Sequence, residues 1–438
     1  NALMRILSRS FYGRLWAVKR ITRNKGSRTP GIDRVTWNSP GKRWNAAINL
    51  KVSGYSSQPL RRIYIPKKNG QKRPLGIPTL HDRAMQELFA LGLRPISETT
   101  ADKNSYGFRQ CRSLHDAIQM TFIALAQKVS AQWILEADIK ACFDCISHDW
   151  LLENIPLPKR VLRQWLKAGY MEEQSFYRTE AGTPQGGIIS PILCNMALDG
   201  LEELVIKGRS KKRRKLNIVR YADDFIITGA EPDYLQNEIK PDIERFLAQR
   251  GLTLSAEKTK LSHIDDGFNF LGFNVRKFNG KLLIQPEDGK TSALLEKIKL
   301  CLQGHHGVSF HVMLIKLNSI IRGWAHAYRR VVAKKRMGYV DNQVYFLVRK
   351  WLSREHRSKT WAWIERKYRR RDHGRVEFCT SYITAKGELK SVRLFQAADL
   401  PIRYHVKVRS EATPFDPDYE GYFALRVRKR KIAALKDR

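Results

Sequence analysis

Apolar side chains at helical spacing open the chain. Leu3, Leu7, Leu15 and Val18 fall near this spacing, and basic side chains fill the positions between them. Residues 1–32 contain no acidic side chain. An acid-poor, Arg-rich start is also typical of a mitochondrial transit peptide, but the rest of the chain is basic too. We therefore favour a basic helix that faces phosphates.

Two short β-type runs follow, at residues 63–65 and 75–77, and they are joined through Asn69-Gly70. This dipeptide is typical of tight hairpin turns, and the residues around it are rich in Lys and Arg. The pattern predicts a β-hairpin with a cationic tip. Residues 82–128 are predicted to be mainly helical, with a looser segment, SYGFR, at 105–109.

The pattern changes between residues 133 and 275 to strand, helix, strand pair and strand, which predicts a compact α+β sheet domain. After Gln285 it becomes helical for about ninety residues. Val340, Val344, Leu347, Val348 and Trp351 form one apolar helical face there. We expect regions at 1–132, 133–284, 285–379 and 380–438.

Charge narrows the possible partners. The chain has 438 residues, with 80 Lys and Arg against 42 Asp and Glu, and a formal net charge of +38. Hydrophobic residues make up 42% of it, which is enough for a folded core and excludes a disordered chain. A folded protein with this surplus is unlike an ordinary metabolic enzyme. We expect a polyanionic partner, with nucleic acid as the leading candidate.

Cysteine usage and hydropathy predict the compartment. Six Cys are scattered singly or inside apolar runs, as reduced thiols are in a cytosolic protein. The longest mostly apolar stretch, 186–198, is too short for a membrane span. These features predict a soluble, intracellular protein with no membrane partner.

Carboxylates in apolar surroundings indicate the chemistry. Asp223 and Asp224 interrupt two β-rich runs in LNIVRYADDFIITG, residues 216–229, so we expect them at a hairpin turn. A second strand, WILEAD, ends at Asp138. Buried adjacent carboxylates repel each other and resist ionisation unless cations lie between them. Any one of these Asp residues, taken alone, is equally consistent with an ordinary turn or cap.

Carboxylates from two neighbouring strand ends are suited to hold two Mg²⁺ ions about 3.5–4 Å apart. Such a pair activates an attacking 3′-hydroxyl and stabilises a leaving pyrophosphate. The sequence therefore predicts nucleotidyl transfer.

At this point the chain resembles the reverse transcriptases encoded by group II introns, also called intron maturases. The motifs that carry the resemblance are SYGFR, ADIKACFD, GTPQGGIISPILCN, RYADDF, LSAEKTKL, FLGF and IIRGWA, in this order. The resemblance implies a right-hand polymerase of the α+β class. Residues 1–132 would be an N-terminal extension and fingers, 133–284 the palm with its antiparallel sheet, 285–379 the helical thumb or X domain, and 380–438 a basic DNA-binding region.

The resemblance also implies roles for single residues. Asp138, Asp223 and Asp224 look like the catalytic, metal-binding triad, with Asp223 the more direct ligand of the Asp pair. The residues that would bind the dNTP are Lys67, Arg73, Phe143 and Gln185. Phe143 resembles the ring that clashes with a ribose 2′-hydroxyl, and a buried core Phe is its alternative. Gly182, Gly186 and Gly187 would let backbone approach the nucleotide closely.

Further matches lie outside the catalytic motifs. Leu271 and Gly272 resemble the primer grip, and Lys258 matches a family position that is as well explained by a surface lysine. The thumb candidates for nucleic-acid binding are Arg322, Trp324, Arg329 and Arg330. Trp324 is equally well explained as part of the thumb core. The basic run at 207–215 is either an RNA contact, which we slightly favour, or an insertion in the palm.

The function implied is an RNA-directed DNA polymerase that also binds its parent intron RNA for splicing and copies it at a DNA target. Its partners would be the intron RNA, target DNA, an RNA template with a DNA primer, and dNTPs, and its cofactor two Mg²⁺ ions. We expect association with the nucleoid when the protein is bound to target DNA. No Cys-x-x-Cys pair follows residue 380, so no H-N-H endonuclease is expected in this chain.

Two other readings remain open. One is a maturase without catalysis that acts only as an RNA-binding splicing factor. The other is a reverse transcriptase of a retron or a defence system.

Overall fold

The computed structural model describes residues 2–66, 70, 72–173, 175–184, 186–372 and 375–435, and it has the expected α+β composition. The chain forms two compact units. The first contains residues up to Ala124, Ser130–Ser262 and the segment from Lys407 onward, and the second contains Leu125–Val129 and His263–Val406. The four predicted regions are a finer division than these units and stay a prediction.

Helices of the first unit begin at the N-terminus, as predicted, with a break at Ser10, whose side chain caps the second helix by accepting from Gly13 N. In chain order the helices are α1 (Ala2–Arg9), α2 (Phe11–Thr22), α3 (Pro40–Asn49), α4 (Leu80–Thr100), α5 (Leu114–Leu125), α6 (Cys142–Cys145), α7 (His148–Asn154), α8 (Lys159–Leu166), α9 (Ser190–Leu198), α10 (Leu201–Ile206), α11 (Lys211–Arg214), α12 (Pro232–Tyr234) and α13 (Lys240–Ala248). A 3₁₀ turn occupies Lys25–Arg28, and a π-helical turn occupies Leu235–Ile239.

Two four-stranded sheets lie in this part of the chain. The strands are β1 (Leu60–Pro66), β2 (Lys72–Ile77), β3 (Trp133–Asp138), β4 (Tyr170–Glu172), β5 (Ser175–Tyr177), β6 (Asn217–Tyr221), β7 (Asp224–Gly229) and β8 (Lys260–His263). The first sheet has the order β2-β1-β4-β5 and contains the predicted hairpin, in which Ile65 pairs with Arg73. The second has the order β6-β7-β3-β8.

The core of the first unit is built around α4. Its apolar side chains recur at helical spacing and are buried against the second sheet and the helices that cover it. Asp82 is also buried in α4, where it accepts hydrogen bonds from the Tyr55 hydroxyl and the Thr79 hydroxyl, each at 2.6 Å. Trp165 donates to the Tyr55 oxygen at 2.9 Å. This hydrogen-bond network therefore joins α4 to α8 through Tyr55.

The SYGFR segment is non-helical, as predicted, and Ser105 forms a single parallel β-bridge with Arg220 of β6. Tyr106 N donates to the Arg220 carbonyl at 2.9 Å, and Arg220 N donates to the Asn104 carbonyl at 3.0 Å. The Arg220 guanidinium is 1% exposed and lies 2.5 Å from Asp199 Oδ1 and 3.6 Å from Asp102 Oδ2. Burial still raises the pKa of Asp199 to about 6. The buried Arg220 guanidinium therefore forms ion pairs with both Asp199 and Asp102, three residues before the Asp223 turn.

The second unit combines two small sheets with long helices. Its strands are β9 (Phe268–Phe270), β10 (Phe273–Phe278), β11 (Lys281–Pro286), β12 (Arg369–Asp372), β13 (Arg375–Ile383) and β14 (Leu389–Arg393), in the orders β11-β10-β9 and β12-β13-β14. Its helices are α14 (Asp288–Gln303), α15 (Phe310–Tyr328), α16 (Lys334–Glu355) and α17 (Trp361–Tyr368). The helical run predicted after Gln285 is confirmed, and Val340, Val344, Val348 and Trp351 are buried in α16.

The segment from Lys407 onward belongs to the first unit. Val408 N donates to Asp116 Oδ1 of α5 at 2.7 Å, and the chain then forms α18 (Glu420–Leu435). Arg426 of α18 lies 3.7 Å from the same carboxylate oxygen. Asp116 thus anchors the returning chain. Across the described ranges, no helix has the length and hydropathy that a membrane crossing requires.

We predict that Arg220→Met lowers the free energy of unfolding by about 3–5 kcal/mol at pH 8, because Asp199 and Asp102 would be left buried without their cation. The loss should be smaller at pH 5, where protonation neutralises a buried carboxylate of raised pKa. Urea unfolding measures both values. Arg245→Met is the matched control: Arg245 is 77% exposed in its ion pair with Asp242, so its loss should cost less than about 1 kcal/mol. Equal losses in the two variants would contradict the assignment.

Candidate active site

The Asp pair lies at a two-residue hairpin turn between β6 and β7, as the sequence predicts. Tyr221 pairs with Asp224, and Ala222 and Asp223 form the turn. Ala222 has φ +60°, a left-handed conformation that usually requires glycine. A Cβ on Gly107 would lie 2.4 Å from Ala222 N, so the SYGFR backbone packs against this turn. The strained turn is therefore held from outside by a neighbouring segment.

Asp138 and Asp224 meet across the sheet. They are direct partners in the antiparallel pairing of β3 with β7, and Ile139 N donates to the Asp223 carbonyl at 3.3 Å. Direct partners in such a ladder have Cα atoms about 4.5–5.5 Å apart and side chains on the same face. Carboxylates from two stretches of sequence, 85 residues apart, are thus brought together as predicted.

Electrostatics at these carboxylates favour an added positive charge. Burial, followed by repulsion from Asp138 and Asp223, raises the pKa of Asp224 to about 7. Burial and the Asp138 charge also raise the pKa of Asp223, while Lys258 and Arg73 oppose that rise. The site therefore holds more negative charge than its own cations balance.

Lys258 is the nearest of those cations. Its Nζ lies 2.6 Å from Asp138 Oδ2, and this hydrogen bond raises the pKa of the ammonium group. The loop that carries it is fixed to the end of β3, because Ser255 N donates to the Asp138 carbonyl at 2.8 Å and Lys140 N to the Thr253 carbonyl at 3.0 Å. Lys258 is therefore both a surface lysine, 66% exposed, and a direct partner of the Asp138 carboxylate.

The three carboxylates are suited to divalent metal ions by their chemistry. Carboxylate oxygens are the ligands that Mg²⁺ prefers, and the raised pKa values show that a cation would relieve repulsion here. Within the described ranges, no three His, Cys, Asp or Glu side chains are arranged to hold a metal ion, and the Asp138 carboxylate is bound to Lys258. The metal-binding roles of Asp138, Asp223 and Asp224 stay a prediction.

Phe143 lies on α6, directly after the strand that carries Asp138, and it is half-buried. Its ring contacts that of Phe108 edge to face, with centroids 6.0 Å apart. Phe108 itself is 58% exposed and has φ +58°. Phe143 is thus not a fully buried core residue, which leaves its ring accessible to a ligand.

The GTPQGG loop packs against the protein at each of its described glycines. An added Cβ would meet the Asp144 carbonyl at 2.5 Å from Gly182, the Gly76 carbonyl at 2.8 Å from Gly186, and Ser190 Oγ at 2.8 Å from Gly187. A side chain at these positions would therefore collide with protein atoms of β2, α6 and α9. The expected approach of this backbone to a nucleotide stays a prediction.

The loop is also joined to the Phe143 backbone. Thr183 N donates to the Phe143 carbonyl at 2.6 Å, and the Gly182 carbonyl accepts from His148 Nε2 at 2.8 Å. His148 is 6% exposed, and burial lowers its pKa, so it acts here as a neutral donor. The His148 ring and Gly182 thus fix the position of α6.

The predicted dNTP-binding residues are described only in part. Arg73 lies in β2 and is close enough to lower the pKa of Asp223. Lys67 and Gln185 lie outside the described residues. The basic run at 207–215 includes α11, and two of its arginines form ion pairs within the unit, Arg209 with Asp242 and Arg214 with Glu231.

The predicted primer grip is a tight turn of the second unit. Leu271 and Gly272 join β9 to β10 with φ values of +53° and +83°. The Gly272 carbonyl accepts from the Tyr328 hydroxyl and from Glu287 N, each at 3.2 Å. The Tyr328 ring packs against the Trp324 ring, with centroids 5.1 Å apart and planes tilted by 49°. Trp324 therefore belongs to the packing that supports this turn, in line with its thumb-core alternative.

The thumb arginines differ in accessibility. Arg329 is 4% exposed and donates to the Pro401 carbonyl, so its predicted role in nucleic-acid binding is corrected to a structural one. Arg330 donates to His405 at 3.1 Å. Arg322 is exposed and lies over the Phe395 ring at 5.1 Å. Among the four candidates, Arg322 best fits a surface contact.

Sequence reasoning missed some residues of the site. Glu136 lies two positions before Asp138 on the same face of β3, contributes to the raised pKa of Asp224, and accepts from Ser262 Oγ at 2.6 Å. The period of two in WILEAD is the signal that would have found it. Phe108 and Arg220 carry no such signal, because only the folded chain places SYGFR against β6.

Family models match three stretches of the chain. Residues 65–275 match the reverse transcriptase (RNA-dependent DNA polymerase) model, residues 1–50 the N-terminal domain of reverse transcriptase, and residues 291–369 the group II intron maturase-specific domain. The first match contains the second four-stranded sheet, most of the first, and all three acidic residues. The fold and this site therefore define a reverse transcriptase with a right-hand polymerase fold, a class that generally uses divalent metal ions.

Two curated proteins and one solved structure are similar to parts of this chain. Protein YkfC of Escherichia coli is 33% identical over 300 residues, covering 58% of this chain and 77% of that protein. Group II intron-encoded protein LtrA of Lactococcus lactis is 32% identical over 356 residues, covering 64% of this chain and 58% of LtrA. A solved telomerase from Candida albicans, in complex with a fragment of telomeric RNA, has a TM-score of 0.40 and 13% identity, covering 71% of this chain and 64% of that one.

The chain belongs to the family of group II intron-encoded reverse transcriptases and maturases. RNA is a partner of proteins with this maturase domain. The chain spans just under three fifths of the length of LtrA.

We predict that the free energy of unfolding depends on pH through the ionisation of Asp224. Its pKa rises from the ordinary 3.8 to about 7 on folding, so between these values the folded state holds the extra proton and the free energy of unfolding falls as pH rises. Asp224→Asn removes this loss. Without metal it should be about 1–3 kcal/mol more stable than the wild type at pH 8, and the difference should vanish near pH 4.

Urea unfolding in a chelator across this pH range measures the effect. Asp233→Asn, at an exposed position, is the control and should follow the wild type at every pH. A difference for Asp224→Asn that does not change with pH would contradict the prediction.

Proposed function

We propose that the chain is an RNA-directed DNA polymerase of a group II intron that also acts as a maturase, binding intron RNA for splicing and copying it into DNA at a target site. One observation carries the polymerase part. Asp138, Asp223 and Asp224 meet at paired strand ends, and the pKa values of the last two are raised. Carboxylates left in such mutual repulsion beside a polyanion are costly unless they have a catalytic use.

Asp138, Asp223 and Asp224 would hold two Mg²⁺ ions, with Asp223 as the more direct ligand. The bound ions would lower the pKa of the primer 3′-hydroxyl and stabilise the leaving pyrophosphate. Lys258 would hold Asp138 in position and balance part of the negative charge. A backbone fixed by Gly107 keeps the Asp turn from moving when nucleotide binds.

Other residues of the chain would bind and select the nucleotide. Arg73 would grip the triphosphate together with Lys67, since an Arg fork and a Lys point charge both suit phosphate oxygens. Phe143 would lie against the sugar and exclude a 2′-hydroxyl. Its ring is half-buried and supported by Phe108. Gln185 would lie beneath the incoming sugar and base.

RNA binding is supported by the N-terminal helices. Tyr12 and Trp16 of α2 are 80% and 51% exposed, and Trp44 of α3 is 52% exposed. Lys19 lies 5.7 Å from the Trp16 ring, and Arg14 lies near Phe11. Exposed rings among cations stack on unpaired RNA bases while the cations neutralise phosphates. This surface would serve intron RNA during splicing.

The same surface is what a splicing maturase without catalysis would need, so that reading is the second candidate. The retention of three clustered carboxylates counts against it. Copying at a target site would further require target DNA that supplies a primer, with dNTPs as substrates.

We predict that Asp223→Asn lowers DNA synthesis at least about 100-fold, because it removes a carboxylate charge that would hold the Mg²⁺ ions. Primer extension on an RNA template with dNTPs and Mg²⁺ measures the rate. The variant should still bind co-purifying RNA, since the N-terminal surface is unchanged. Asp233→Asn is the control and should extend at the wild-type rate. A wild type that binds RNA but makes no DNA would leave the catalysis-free maturase as the function.

We also predict that Phe143→Ala raises ribonucleotide incorporation about 10-fold or more relative to deoxyribonucleotide incorporation, because the clash with the 2′-hydroxyl is removed. Single-nucleotide extension with rNTPs and dNTPs measures the ratio. Phe176→Ala, which removes an exposed ring of β5, is the control and should leave the ratio unchanged. Unaltered selectivity in Phe143→Ala would reject the gate assignment.

A further inference from the structure

The four-stranded sheet that carries Arg73 has a second face with different chemistry. Strand pairing sets Arg62 of β1, Tyr170 of β4 and Tyr177 of β5 on one face, because Leu60 pairs with Tyr170 and Tyr170 with Tyr177. Arg73 pairs with Ile65, an odd-numbered residue of β1, and so lies on the opposite face. Arg73 and the three residues Arg62, Tyr170 and Tyr177 therefore lie on opposite faces of this sheet.

Three side chains on the second face form a stack, which we call the Arg62 ladder: Arg62, Tyr170 and Tyr177. The Arg62 guanidinium carbon lies 3.7 Å from the centre of the Tyr170 ring. The Tyr170 and Tyr177 rings are stacked, with centroids 5.1 Å apart and planes 14° from parallel. The planar side chains are thus aligned across β1, β4 and β5. A further planar group can stack on this series without moving it.

The outer end of the ladder is open to solvent. Tyr177 is 46% exposed and lies on β5, at the edge of the sheet. A short edge strand that exposes a large ring is characteristic of a binding surface, since edges are usually protected by charge or cover. The ring at the open end is the natural position for a further stacked group.

The surroundings of the ladder suit a base. At its inner end a cavity of about 290 Å³ is lined by Arg62, Tyr170 and Arg178, and by Asp144 and Glu180. Two cations oppose two acidic groups in this lining, so it favours a planar polar group with donors and acceptors over a phosphate. The exposed cations Lys167 and Arg178 flank the ladder in sequence and are available to phosphates.

We propose that the Arg62 ladder is a second nucleic-acid site, which binds an unpaired base of an RNA strand while the opposite face of the sheet serves the template and primer. Aromatic rings stack on any unpaired base, and a guanidinium at the far end of the stack strengthens the ring's attraction for it. RNA is the occupant because the maturase-specific domain already implies an RNA partner. The inference depends on the proposed function only for the identity of that RNA.

The proposal implies that the protein can bind an RNA segment at the Arg62 ladder while it synthesises DNA at the active site. A strand on the ladder would not occupy Arg73, because Arg73 lies on the other face of this sheet. The protein would then retain contact with one RNA segment while it copies another.

Photocrosslinking tests where the RNA lies. Full-length protein is first saturated with a blunt template–primer duplex, and a single-stranded RNA that carries 4-thiouridine is then added. We expect crosslinks in the peptide of residues 168–178, and these should persist at saturating duplex. Loss of those crosslinks on adding duplex, or their absence throughout, would overturn the proposal.

Binding of single-stranded RNA with 2-aminopurine as the unpaired base tests the stacking. Tyr177→Ala should abolish the quenching of 2-aminopurine and weaken binding about 5- to 100-fold, which is the usual range for loss of one stacked base. Tyr177→Phe keeps a flat ring and should behave as the wild type. Phe176→Ala is the matched control, since Phe176 is a 52% exposed ring of the same strand on the opposite face.

The variants separate this proposal from the polymerase function. All three should extend a primer at the wild-type rate, because none removes a residue assigned to metal, nucleotide or primer binding. Equal quenching in Tyr177→Ala and Phe176→Ala would overturn the ladder while leaving the polymerase intact. A wild type with no DNA synthesis would overturn the polymerase while leaving the RNA site. Tighter binding of single-stranded DNA of the same sequence would overturn the assignment to RNA.

Discussion

The pairing of β3 with β7 is the constraint on which the site depends. It sets Asp138 directly opposite Asp224 and places the Asp223 turn at the same end of the sheet. Hydrogen bonding of the strands thus forces negative charges together that would separate in solution, and burial raises the pKa values of Asp223 and Asp224. A cation bound between these carboxylates would reduce their repulsion and so stabilise the site. Lys258 provides one in the structure, and divalent ions would provide more during catalysis.

Surrounding segments hold the strained parts of the site in place. Ala222 keeps a left-handed conformation because the Gly107 backbone packs against it. The GTPQGG loop is fixed to α6 through hydrogen bonds to the Phe143 carbonyl and from His148 to Gly182. Glycine is required in both places by close contact between protein segments. Nucleotide selection by Phe143 would therefore rest on packing several residues away from the ring itself.

Charge is used in different ways on the surface and in the interior. The net charge of +38 is spread over exposed Lys and Arg, whereas the buried Arg220 and Arg329 stabilise the fold through carboxylates or carbonyl groups. A basic residue in a family motif is consequently not by itself a nucleic-acid contact. Its burial decides between the two roles, since a guanidinium that is satisfied inside the protein has no donors left for phosphate.

The sequence by itself determined the α+β class, the pairing of β1 with β2 as a hairpin, the Asp turn, the strand ending at Asp138 and the amphipathic face of α16. Each of these follows from local periodicity or turn chemistry, which neighbours in the chain decide. Only the tertiary structure decided that SYGFR supports the Asp turn, that Lys258 reaches Asp138, that the loop glycines pack on protein, and that the Arg62 ladder faces away from Arg73. Those relations join segments that are distant in sequence. Strand register and side-chain burial set them, and neither is encoded in the residues of one segment alone.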